Sequence, residues 1–313
     1  MSEEKLYISP GPHIFTKKST PRVMKDVIIA LIPAIAVSVY FFRMKAVMMF
    51  AVAIVSCILF EVITQRLMKR KTTLLDCSAI VTAILLAMNM PPSLPLWACA
   101  IGSLVAIGLA KQLFGGLGYN IFNPALLGRA FLMAAFPALM TRWTVPITLD
   151  TVTTATPLGM VKFSQDMGVD YKALFLGNVS GSLGETSAVA LIIGGIYLLI
   201  RKAIDWRIPV SYGAVVILIS FITNIIAPEV YAGPLFHLLA GGFMLGAIYM
   251  ATDPVTSPVT KKGRWIFGAG CGLITMIIRL WGGLPEGVMY SILLMNALTP
   301  LLNRTTRPRR YGT

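Results

Sequence analysis

Charge is what this chain has least of. Only 13% of its 313 residues are Asp, Glu, Lys or Arg, against ~25% in an average soluble domain, while 56% are hydrophobic. So few charges cannot cover a water-facing surface, which excludes an ordinary soluble globule and points to an integral membrane protein. Cysteine is scarce too. Cys57, Cys77, Cys99 and Cys271 all lie in apolar runs without any Cys-x-x-Cys pair, so a disulfide framework and an iron–sulfur ligand run are both excluded. Two histidines, His13 and His237, are too few for a haem or zinc site. No Walker loop, dinucleotide fingerprint or Ser–His–Asp set occurs, so the chain has no Rossmann means of holding NADH and must receive electrons, if it uses any, from partners. The first 22 residues are polar and basic, so no cleavable leader is expected and the first apolar run serves for insertion. Acid is the scarcer sign, 13 residues against 27 basic ones. The basic residues fall in short clusters between apolar runs, which fits the positive-inside effect and argues against nucleic acid as a partner.

What the chain has in plenty is apolar runs of spanning length. Ten are expected, over residues 23–42, 46–65, 74–90, 96–113, 121–140, 187–200, 208–227, 235–251, 265–281 and 287–302. The fold class is therefore an all-α integral membrane protein with about ten transmembrane helices. Its organisation is a cytoplasmic arm (1–22), a first membrane half (23–140), an external loop (141–186), a second half (187–302) and a basic cytoplasmic tail (303–313). With both termini inside, 20 of the 27 basic residues fall on the inner side and five on the outer, Arg43, Lys45, Arg142, Lys162 and Lys172. The sixth run is short and Gly-rich, as a broken or re-entrant helix would be. Residues 83–92, AILLAMNMPP, resemble 247–254, AIYMATDP, and 111–118, KQLFGGLG, resemble 278–285, IRLWGGLP. Five spans separate the matched elements, and an odd offset inverts orientation, so two five-helix inverted repeats are expected.

The stretch around which the candidate chemistry gathers is 148–159, TLDTVTTATPLG, in the external loop. Thr, Pro and Gly there are ordinary loop residues. The pattern of Asp150, five residues, then Thr156 also resembles the motif at which a flavin transferase joins FMN through its phosphate to a threonine hydroxyl. Thr156 would be the acceptor, with Asp150, Thr153, Thr154, Ala155 and Leu158 around it. Arg129 lies deep in the fifth span, where an unpaired cation is expensive, and it is expected to pair with a carboxylate or with a flavin phosphate or ring carbonyl. A clamp on backbone carbonyls is the plainer alternative. A second polar patch, 177–187, GNVSGSLGETS, offers caps for the sixth span and puts Glu185 in its first turn. Trp143, Phe163 and Tyr171 are candidate stacking walls. Arg279, near a span end, is expected to reach the interface. Asp26, Glu61, Asp76 and Asp253 read mainly as solvated interface acids, each also a candidate on an ion path. Asn123-Pro124-Ala125 matches a water-channel box, but no second box occurs, so that reading fails.

Three features occur in order: SPGPHIFTKKSTPRVMKDVIIALIPA from Ser9, GYNIFNPALLGRAF from Gly118, and DTVTTATPLG from Asp150 followed by GSLGETS from Gly181. Together they resemble the D-type family of membrane proteins in the Rnf ion-translocating electron transport complex, a ferredoxin–NAD oxidoreductase. They are similar, more distantly, to the B-type component of the sodium-pumping NADH–quinone reductase. The resemblance implies covalent FMN on Thr156 facing the outside of a bacterial or archaeal cytoplasmic membrane, and a urea-channel-like fold. It also implies a relay of electrons in a complex that pumps Na+ or H+, and room for a second, noncovalent flavin such as riboflavin. Its partners would be the other Rnf subunits, among them a peripheral covalent-FMN subunit and iron–sulfur subunits, with a flavin transferase for maturation and membrane lipid around the helices. The chain would be a translocase subunit, inactive alone. A small-solute channel or secondary transporter of inverted-repeat type, and a scaffold without a cofactor, remain the alternatives from the residues themselves.

Overall fold

The computed structural model describes residues 19–146, 156–164 and 170–307, and among these it contains helices and turns but no strand. Asp150, Thr153, Thr154 and Ala155 lie outside the described residues.

The first helical segment, α1 (Thr20–Leu67), begins at Pro21 in its first turn and runs for 48 residues. A straight helix of that length would reach about 72 Å, more than twice the ~30 Å hydrocarbon layer. It is not straight. Arg43 has φ 49° and ψ −132°, and Thr20 and Gln65, near the two ends of the segment, line one cavity. The chain therefore doubles back at Arg43 into two arms, as the runs 23–42 and 46–65 anticipate. The second arm buries Ala46, Met49, Ala53, Cys57 and Glu61, one face of a helix at three- and four-residue spacing.

Two expected spans are shorter than their apolar runs. The run 74–90 forms α2 (Ser78–Met88), and 121–140 forms α4 (Pro124–Ala135) with a short α5 (Pro137–Met140) after it. At 11 and 12 residues, α2 and α4 are only about 17 and 18 Å long, half a crossing. Between them α3 (Leu96–Leu104) runs on into a wider π-helical stretch, Val105–Gln112. Asn123 explains where α4 starts: its side-chain oxygen accepts from Ala125 N at 3.1 Å and Leu126 N at 3.3 Å, and Pro124 needs no partner at the first position.

After the short α6 (Pro157–Gly159) and α7 (Tyr171–Leu176), α8 (Ala188–Ile200) is unbroken, capped by Ser187 Oγ accepting from Ala190 N at 3.3 Å. The break expected in the sixth run occurs instead in the eighth. There α10 (Pro234–Leu239) stops, residues 240–242 turn with Gly241 at φ +70°, and α11 (Phe243–Leu245) resumes into a π-helical stretch, Gly246–Met250. A left-handed φ is what glycine supplies without a Cβ clash. The remaining long elements are α9 (Arg207–Ile226), α12 (Lys261–Trp281) and α13 (Val288–Thr305). Helices α9 and α12 approach closely because Gly268 and Gly272 face Ser211 and Val215, where an added Cβ would lie 2.0 and 2.8 Å from those side chains.

Thr20–Leu67, Arg207–Ile226 and Lys261–Trp281 are each long and apolar enough to cross a membrane, and four shorter apolar helices accompany them. One large apolar cluster runs through α1, α2, α9, α12 and α13. A smaller one joins Leu158 and Val161 to Leu174, Ala188, Phe236 and Ala240.

Candidate functional site

Thr156 is the N-cap of α6. Its Oγ1 accepts from Gly159 N at 3.1 Å, its backbone is extended, and Pro157 starts the turn behind it. The residue is half-buried, while Leu158 and Val161, one turn on, are buried in the smaller apolar cluster. Leu158 presses on the break in the eighth run: a Cβ on Gly241 would lie 2.4 Å from its Cδ1. The hydroxyl therefore stands at the edge of a segment whose next turn is pinned by packing. Phe163 and Tyr171 are exposed, and neither lines the cavity under Leu158.

Beneath Leu158 is a cavity of about 140 Å³ lined also by Val161, Lys162, Tyr231, His237 and Arg279. Arg279 does not reach the interface as its position near a span end suggests. It is 4% exposed, and its Nη1 and Nη2 donate to His237 O at 2.6 Å and Ala240 O at 3.0 Å. These carbonyls are left over where α10 stops, and a cation at a helix C-terminus is favourable. Lys162 Nζ donates to Ile278 O at 2.8 Å and Leu284 O at 2.7 Å; partial burial draws its pKa below the ordinary lysine value.

On the other side of the same break, Arg129 Nη1 donates to Asn89 Oδ1 at 2.8 Å and Nη2 to Glu286 Oε2. Glu286 Oε1 accepts from Gly242 N at 3.0 Å. The carboxylate expected among the partners of Arg129 is that of Glu286. Glu185, in the 3₁₀ turn Leu183–Glu185 ahead of α8, is the third charged member. Burial, and then the neighbouring Glu286 carboxylate, push its carboxyl up, with Arg129 opposing. Residues 240–242 thus join the Thr156 segment on one side to Arg129, Glu286 and Glu185 on the other.

A third polar cluster lies between α1 and the π-helical end of α3. Lys111 Nζ donates to Glu61 Oε1 and to Ser78 Oγ, both at 2.6 Å, and Gln112 Nε2 donates to Glu61 Oε1 at 2.9 Å. Glu61 is fully buried, not solvated at an interface as its sequence neighbourhood suggests. Asp26 is buried as well, at 8% exposure, so it too departs from the expectation of a solvated interface acid, and all three remaining acids have partners. Asp26 meets Tyr197 and Arg201, Asp76 caps α2 through Ser78 N at 2.8 Å, and Asp253 accepts from Val255 N and Thr256 Oγ1. Sequence reasoning missed Glu286, Lys111 and the placement of His237. The available signal for Lys111 was a lone lysine at the end of a long apolar run, 96–110.

Residues 7–312 match the family described as NQR2, RnfD, RnfE. The chain is 48% identical over its whole length, and over 97% of the relative, to the D subunit of the Na(+)-translocating ferredoxin:NAD(+) oxidoreductase complex of Acetobacterium woodii. It is 43% identical to the proton-translocating counterpart of Clostridium ljungdahlii, covering 98% of this chain and 96% of that one. It is 36% identical to the D subunit of the ion-translocating oxidoreductase complex of Escherichia coli K12, over 97% and 98%. Matched from end to end in this way, the chain belongs to the NQR2, RnfD, RnfE family.

Proposed function

We propose that this chain is the D-type membrane subunit of an ion-translocating ferredoxin–NAD oxidoreductase, and that it carries FMN as a phosphoester on Thr156. The subunit role rests on the relatives, which are so named and are matched over nearly their whole length. The cofactor role rests on one observation above the rest: Thr156 Oγ1 lies at the half-buried edge of a packed turn whose Leu158 lines a cavity with unpartnered buried donors. A phosphate esterified there keeps the Gly159 N–H as a partner, and Leu158 and Val161 fix the turn that carries it. FMN would supply the carriage of electrons, the chemistry that this chain's own side chains lack.

The chain's residues then do three things. Thr156 anchors, Leu158 packs the anchor onto the break at 240–242, and the pair of Arg129 with Glu286 holds the opposite face of that break. The reading includes an outer-face position for the Thr156 loop, cytoplasmic termini, the other Rnf subunits as partners and a flavin transferase for maturation. Two five-helix inverted repeats are part of it. Their support is that the matched motifs meet, Asn89 Nδ2 lying 3.4 Å from Met250 Sδ. A noncovalent flavin such as riboflavin is left as a further expectation.

The test is direct. The full chain, coexpressed with a flavin transferase and denatured, is expected to fluoresce as a flavin band in a gel, and Thr156→Val to abolish the band. A colourless wild-type band, or an unmodified mass for the peptide holding Thr156, refutes the reading and leaves the channel or scaffold.

A further inference from the structure

The cavity under Leu158 holds more hydrogen-bond donors than its own contacts use. His237 is 4% exposed, and neither of its ring nitrogens has a partner. Arg279 Nε is buried and unpartnered as well, although its two terminal nitrogens hold carbonyls. Lys162 Nζ has three N–H groups and gives two of them to Ile278 O and Leu284 O. An imidazole bears at least one N–H in either charge state. Three side chains thus bring uncommitted donors to one place, and no carboxylate is among its lining residues. Buried donors left unmet are costly, so the arrangement suits an acceptor-rich or anionic guest. The other walls, Leu158, Val161, Val230 and Leu280, are apolar, which suits the flat body of a ring more than a bare anion.

We propose that this cavity receives the acceptor-rich edge, N1 and the C2 carbonyl, of the isoalloxazine anchored at Thr156, with His237, Arg279 Nε and Lys162 as its donors. The inference rests on the flavin reading above and adds the residues that set the ring's electron affinity. Reduction by two electrons and one proton leaves a negative charge at that edge. Donors and cations already fixed there favour the reduced over the oxidised ring without reorganising. His237, Arg279 and Lys162 are thus binding residues that raise the potential of the attached cofactor.

The test uses the full chain coexpressed with a flavin transferase and reconstituted in lipid nanodiscs, as wild type, His237→Leu and Lys162→Met. In-gel fluorescence of denatured protein reads attachment. A dithionite titration with redox mediators, followed by absorbance, reads the midpoint potential. Attachment is expected to be unchanged in both variants. Each potential is expected to fall by about 30 mV, a tenfold loss of preference for the two-electron reduced ring. Unchanged potentials in both variants with full attachment overturn the proposal. So does loss of attachment in both, because the cavity would then serve the esterification or the fold. A wild type without in-gel fluorescence is a different failure, that of the flavin reading itself.

Discussion

Replacing Lys111 by Met tests whether the Glu61–Lys111 pair is held by charge or merely tolerated. Both side chains are essentially inaccessible, at 2% and 0% exposure, and their charged atoms are 2.6 Å apart. Met has nearly the shape of Lys without the ammonium, so the substitution removes the cation and leaves the packing. Glu61 would then keep only the amide donors of Gln112 and Gln65 on Oε1, and Oε2 already lacks a partner. An unmatched buried charge left by breaking such a pair costs roughly 3–5 kcal/mol. Removing both charges, as in Glu61→Gln with Lys111→Met, strands no ion and is expected to return stability to within about 1 kcal/mol of the wild type. The two variants therefore separate the cost of the orphaned charge from the loss of contacts.

The assay is thermal unfolding of the purified chain in one detergent at one fixed scan rate, because membrane proteins unfold irreversibly and the midpoint depends on the rate. For a chain of this size 1 kcal/mol moves the midpoint by roughly 2 °C, so Lys111→Met is expected to lower it by roughly 6–10 °C and the double variant by about 2 °C or less. Lys172→Met, on an exposed lysine, is the control and stays within about 0.5 kcal/mol of the wild type. A single variant as stable as the control refutes the reasoning. So does a double variant no more stable than the single one, since packing and not charge would then carry the loss.

Two further outcomes follow from named contacts. Arg129→Ala is expected to lower electron transfer by the purified complex about tenfold, or ~1.4 kcal/mol, while in-gel flavin fluorescence stays within twofold. Arg129→Lys is expected not to rescue it, because separate guanidinium nitrogens hold Asn89 and Glu286; equal turnover in wild type and variants takes Arg129 off the site. In the turn before α9, burial of Asp205, which alone would raise its pKa, is outweighed by the Arg207 N–H and by the Arg264 and Arg207 guanidinia, and the net shift is below the ordinary 3.8. A depressed acid stabilises the fold above its unfolded pKa and loses that contribution as the pH falls through the lower folded one. The melting difference between wild type and Asp205→Asn is therefore expected to be full above pH 3.8 and to shrink with acid below it; a difference that persists unchanged in acid refutes the assignment.

Much of this structure was legible in the composition and the apolar runs, and the failures share one cause. Runs 23–42 and 46–65 became the two arms of α1 because nothing but the turn at Arg43 interrupts them, and 208–227 and 265–281 became α9 and α12 for the same reason. Runs 74–90 and 121–140 read as full crossings because hydropathy counts Asn89, Asn123 and Pro124 as minor interruptions, whereas the backbone uses them as stops and caps. The break at 240–242 was hidden more thoroughly, since Leu-Ala-Gly-Gly-Phe is apolar throughout. Pairs such as Glu61 with Lys111 and Arg129 with Glu286 join residues 50 and 157 positions apart, a separation that pattern reading within one run does not bridge.

Arg279 shows how these failures connect. A cation near the end of an apolar run has two low-cost positions, water at the interface or a set of unpaired carbonyls inside the protein. The first is readable from sequence; the second requires knowing that another helix stops beside it. Because α10 ends at Leu239, His237 O and Ala240 O lose their helical partners, and Arg279 satisfies both. Arg129 meets the end of α2 differently, holding no freed carbonyl but the side-chain oxygen of Asn89, the residue after Met88, and the Glu286 carboxylate. The depth of Arg279 is thus set by where a neighbouring helix is cut short, and that of Arg129 by an amide and a carboxylate. That links the broken helices, which carry no charge, to the charged residues around the Thr156 segment.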